Sequence, residues 1–76
     1  MGIWGEGMSY KRKKVLRALY RRGFVLLREG GEHTIVRDQK GHQIAVPRGR
    51  ELNRYTVRGM AEDAEVPWQE FQKEVS

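Results

Sequence analysis

A chain of 76 residues, 38% apolar and 33% charged, builds one small domain with a modest core and is too apolar for a disordered polar tail. It has no cysteine, so there is neither a disulfide framework nor a thiolate metal site, and no apolar run approaches the roughly 18 residues of a membrane span. The net charge of +5 is unevenly laid out: Ser9 to Arg58 holds fourteen Lys and Arg against Glu29, Glu32, Asp38 and Glu51, while Gly59 to Ser76 sets Lys73 against five acids.

Met1 to Met8 carries three glycines and no periodicity, which reads as a flexible leader without the basic start and apolar run of a secretion signal. Ser9 is placed to cap a helix from about Tyr10 to Arg22, ended by Gly23 in the left-handed region. Val15, Leu16, Leu19 and Tyr20 form its apolar stripe, and Lys11 to Lys14, Arg17, Arg21 and Arg22 fill much of the rest. Phe24 to Leu27 is a continuous apolar run of strand length, which predicts a buried central strand. After a turn at Gly30-Gly31, His33 to Arg37 and His42 to Val46 read as strands joined by a hairpin turn at Asp38 to Gly41. Pro47 closes the third strand, because it has no N–H for a ladder.

Arg48 to Tyr55 reads as a basic loop. Thr56 is placed to cap a second helix, in which Val57, Met60, Ala61 and Ala64 fall at i, i+3, i+4 and i+7. Gly59 weakens that helix by about 1 kcal/mol relative to alanine. Pro67 opens a short last helix anchored by Trp68 and Phe71. The pattern predicts an α+β fold: a three-stranded antiparallel sheet with helices packed on one face. Its expected core is Leu16, Leu19, Phe24, Leu26, Ile44, Val46, Val57 and Met60. Residues 9–66 form the body, and 67–76 a helical tail of the same domain. Strand parity leaves open whether His33 and Ile35 or Thr34 and Val36 face inward.

The order of these elements resembles the HicA-type toxins of bacterial toxin–antitoxin systems. The likeness rests on Leu19 through Gly23-Phe24, Gly31-Glu32-His33, Val46-Pro47, and Glu51-Leu52 followed by Thr56-Val57-Arg58. It implies an α-β-β-β-α fold like that of double-stranded-RNA-binding domains, and metal-independent cleavage of messenger RNA; the lack of cysteine fits a reducing cytoplasm. It also implies an acidic antitoxin partner resembling HicB. The family's catalytic histidine corresponds to His33. Glu32 stands where the family usually has serine, and Tyr55 where glycine is common.

Imidazole suits such chemistry, because cleavage by the RNA's own 2′-hydroxyl needs one proton removed and another delivered near neutrality. Arginine or lysine stabilises the charge that builds on the phosphate. A basic body also attracts nucleic acid, and ten of the fifteen cations are arginines suited to forked phosphate contacts. The residues placed to grip RNA are Lys11, Lys14, Arg17, Arg48, Arg50 and Arg54, with a solvated basic face as the alternative for any one of them. His42 reads as an exposed strand residue too far along the hairpin to work with His33. No ligand spacing for a metal, nucleotide-binding loop or activated serine is visible, so no cofactor is called for. A non-catalytic RNA-binding module of the same fold remains the alternative, and a small DNA-binding regulator fits less well.

Overall fold

The computed structural model describes residues 9–76; the leader expected over Met1 to Met8 lies outside them. Ser9–Lys11 (β1) and Glu51–Asn53 (β5) each bury only their middle residue, and they pair antiparallel with Tyr10 opposite Leu52. This corrects two expectations, since a helix cap was expected at Ser9 and a plain loop over 48–55. Pairing lets Tyr10 and Leu52 enter the core together, a larger gain than one serine cap offers. The Ser9 hydroxyl accordingly donates to Glu51 Oε1 at 2.8 Å.

Helix α1 (Arg12–Arg21) therefore starts late and has no side-chain cap. One of its orphan amides is satisfied across the ribbon, Arg12 N donating to Arg50 O at 2.9 Å. Its end is as expected: Gly23 has φ +96°, and the amides of residues 22–24 bond back to the Leu19 and Tyr20 carbonyls.

Val25–Glu29 (β2), His33–Arg37 (β3) and Gln43–Pro47 (β4) form an antiparallel sheet in the order β2-β3-β4. Helices α2 (Arg54–Asp63) and α3 (Trp68–Val75) follow. The α-β-β-β-α arrangement of a double-stranded-RNA-binding-like domain is thus present, with the β1–β5 ribbon and α3 added. Parity resolves toward Thr34 and Val36, which are buried with Ile44 and Val46 on the helix side. His33, Arg37, Gln43 and Ala45 lie exposed on the opposite face, and Ile35 is half-buried there. No helix among the described residues is long and apolar enough to cross a membrane.

The run Phe24 to Leu27 is not a buried central strand. β3 is central, β2 is an edge, and Val25, Leu26 and Leu27 are 60%, 49% and 47% exposed. Leu26 therefore drops out of the expected core. It pairs with the buried Val36 and so points to the helix side, but as an edge residue it is flanked on one side only. Leu16 is half-buried rather than core. The second helix is capped by Asn53, whose Oδ1 accepts from Tyr55 N at 2.7 Å, so Thr56 lies inside the first turn and is exposed. Phe71 and Val75 of α3 are fully buried, and Trp68 packs edge-on to Tyr10 with ring centroids 5.8 Å apart.

Candidate nucleic-acid interface and histidine site

Helix α1 repeats cations at Lys13, Arg17 and Arg21, four residues apart, and so lines one of its faces with positive charge. That face and the turn before β5 enclose a groove lined by Lys11 to Lys14, Leu16, Arg17, Tyr20, Arg21, Gly49, Arg50 and Glu51. Four of the residues expected to grip RNA meet here: Lys11, Lys14, Arg17 and Arg50. Lys14 also donates to Ser76 O at 3.1 Å. Lys13, Arg21 and the partly exposed Tyr20 join them, and the i, i+4 spacing of the cations was the available signal. Arg48 and Arg54 do not line the groove. Arg54 is the first residue of α2, and Arg48 is held elsewhere.

His33 lies in a separate, shallow hollow on the open face of the sheet, lined by Arg28, Gly30, Gly31, Glu32, His33, Ile35 and Ala45. It is the first residue of β3, is exposed, and sits opposite Pro47. The turn before it is drawn tight, with Gly30 N donating to His33 O at 2.8 Å. A Cβ at Gly30 would come within 3.1 Å of that oxygen, which accounts for glycine there.

Arg28 reaches this hollow through a β-bulge. Leu26 pairs with Val36, yet Arg28 pairs with Ile35, leaving Leu27 as the extra residue. Without the bulge Arg28 would face the helices. With it, Arg28 shares a face with Ile35 and His33, and Glu29 turns to the helix side beside Thr34. There the Thr34 hydroxyl donates to Glu29 Oε1 (3.0 Å) and accepts from Arg12. Arg48 donates to the same Glu29 oxygen and to Gly30 O at 2.8 Å, so its side chain braces the turn that carries His33.

One short segment of chain, Pro47 to Arg50, runs from the strand end opposite His33 to the groove. Arg12 Nε donates to Pro47 O at 2.9 Å, and Arg48 N to Glu32 O at 3.1 Å. From Pro47, opposite His33, to Arg50 in the groove is three Cα steps, at most about 11 Å of chain.

His42 is not the exposed strand residue expected. It precedes β4 and is half-buried, with Nδ1 2.7 Å from Asp38 Oδ2 and Nε2 3.2 Å from Glu65 Oε2. Asp38 Oδ1 also accepts from the amides of Lys40 and His42. Hydrogen bonding to Asp38, then to Glu65, holds the His42 imidazole above its ordinary value. Burial pushes the Asp38 carboxyl up, but the bonds from the His42 side chain and backbone outweigh it and leave the group lowered. A raised imidazole stabilises the fold fully below its unfolded value of about 6.5 and loses that contribution as pH rises through the folded value. The thermal midpoint is therefore expected to fall as pH rises above about 6.5, and His42→Gln to flatten that limb. An unchanged slope in the variant would contradict it.

The family model described as the HicA toxin of bacterial toxin–antitoxin matches residues 12–66 of the 76. No curated protein matches the chain.

Proposed function

Because the chain belongs to the HicA toxin family of bacterial toxin–antitoxin systems, we propose that it is an endoribonuclease that cuts messenger RNA without a metal and is restrained by an acidic antitoxin. The observation that carries this reading is an exposed imidazole, His33, in one hollow with the guanidinium-bearing Arg28. In the proposed reaction the RNA 2′-oxygen attacks the adjacent phosphorus in line, and the bond to the 5′-oxygen breaks. His33 takes the 2′-proton while solvent protonates the leaving 5′-oxygen, or His33 delivers the second proton while solvent takes the first, and Arg28 offsets the charge that develops on the phosphate. The RNA backbone lies in the α1 groove against Lys11, Lys14, Arg17 and Arg50, and crosses the Pro47–Arg50 segment to reach His33. The test is cleavage of a long single-stranded RNA in excess chelator. Cutting that stops on chelation would end the metal-independent mechanism.

Affinity is expected to be set by phosphate contacts. With four cations engaged, a single strand loses about 0.7 log units of affinity per contact per log unit of salt, or about 50-fold between 50 and 200 mM. Replacing Arg17 and Arg50 with glutamine should reduce that slope by about half. Filter binding at several salt concentrations reads both, and a slope near zero would remove the groove from the account.

The non-catalytic reading has one observation in its favour. Glu32 lines the same hollow and sets a carboxylate where a phosphate must approach His33. Tight RNA binding without cleavage by the wild-type chain, with cleavage appearing in Glu32→Ser, is the result that would select it.

A further inference from the structure

We propose that β2 is the docking edge for a partner protein that adds an antiparallel strand of alternating acidic and aliphatic residues. Its carboxylates would lie on the His33 face and its aliphatic side chains over Leu26. The inference deepens the reading above and rests on it for the partner's existence.

Edge strands invite pairing and are normally shielded by proline, charge or brevity. The two edges of this sheet differ sharply. β4 ends in Pro47, and between its buried Ile44 and Val46 exposes only Ala45. β2 presents three consecutive exposed aliphatics, Val25, Leu26 and Leu27, and its outer side has no strand beside it among the described residues. Val25 lies on the His33 face and Leu26 on the helix side, so this open edge carries exposed aliphatics on both faces, which suits the addition of a strand.

Charge selects the occupant. The bulge puts Arg28 on the His33 face, and Arg37 lies opposite Val25 on that same face. Neither arginine makes a side-chain hydrogen bond or ion pair among the described residues, whereas Arg22 and Arg48 are both paired. A second copy is a poor fit, because it brings its own charge of +5. The one carboxylate of its β2, Glu29, is already engaged by Thr34 and Arg48. A strand with a carboxylate at every second position satisfies Arg28 on one face and covers Leu26 on the other. Because Arg28 also lines the His33 hollow, such a strand competes with a phosphate for the same guanidinium. One contact then provides both affinity and inhibition.

The probe is a blocked heptapeptide of alternating valine and glutamate, titrated into the ¹⁵N-labelled chain, with the valine–lysine peptide as control. The proposal expects amide shifts concentrated in residues 25–29, perturbation of the Arg28 side-chain signal, and no such response to the lysine peptide. Leu26→Glu and, separately, Val25→Glu should each weaken the titration at least tenfold. Shifts confined to Lys11–Arg21 and Arg50 would mean plain attraction to the groove and would overturn it, as would no shifts in β2. Sedimentation showing a dimer that Leu26→Glu dissolves would assign the edge to a second copy instead. No RNA enters the titration, so its failure leaves the cleavage reading standing, and failed cleavage leaves the titration valid.

Discussion

His33→Ala is expected to lower RNA cleavage by about 10²–10⁴-fold, the usual contribution of a positioned general acid or base, while RNA affinity stays within a few-fold of wild type. The separation follows from the layout. His33 is exposed at the mouth of β3 and its ring packs into no core, so its loss costs little folding energy. The cations that would carry binding are grouped in the α1 groove instead. Arg48→Ala should behave differently. It releases Glu29 and the Gly30 carbonyl, loosening the turn that presents His33, and so should lower the cleavage rate as well as any affinity. Gel-based cleavage alongside filter binding and urea denaturation reads all three quantities. Wild-type rates in His33→Ala would remove this histidine from the mechanism.

Phe71→Ala is expected to destabilise the fold by about 3–5 kcal/mol, the range for a large aromatic deleted from a packed core. Phe71 is fully buried, as is Val75 one turn later, and both belong to a helix beyond the matched residues 12–66. A single core in a chain of this size rarely supplies more than about 3–5 kcal/mol, so the loss of this one side chain is comparable with the whole stability. Helix α3 is also tied to α1 by Arg22, which pairs with Glu74 and lies 3.7 Å from Glu70. Urea unfolding monitored by circular dichroism measures the loss. A change under about 1 kcal/mol would show that α3 is an appendage rather than part of the core.

Much of this fold can be read from periodicity alone. β3 begins and ends where His33 to Arg37 predicted, and Val57, Met60, Ala61 and Ala64 are all buried. The misses share a cause: each was decided by a partner distant in sequence. Ser9 is a sound helix cap by local rules, but Tyr10 gains more by pairing with Leu52. A run such as Phe24 to Leu27 reads as central wherever it lies, because composition does not record which strand lacks a neighbour. Thr56 lost the capping role to Asn53 once β5 set where α2 begins. Arg28 could not have been assigned to the His33 face, since simple alternation places it with the helices and only the bulge reverses that. His42 was missed because its second partner, Glu65, comes from the turn after α2, in a left-handed backbone conformation with φ 60°.

The extra residue in β2 ties the length of the strand to its bulge. Deleting Leu27 would leave Leu26 opposite Val36 and Arg28 opposite Ile35 in plain alternation, so Arg28 would stay beside His33 and Glu29 beside Thr34. Losing the bulge with the residue count unchanged does the opposite. Leu27 would then lie opposite Ile35, the guanidinium of Arg28 would turn under the helices, and the carboxylate of Glu29 would come out beside His33. Arg48 and Thr34 would lose their shared acceptor in the same event. A straight strand one residue shorter and a bulged strand of this length therefore present the same side chains, and relatives should carry one or the other between Gly23 and Gly30.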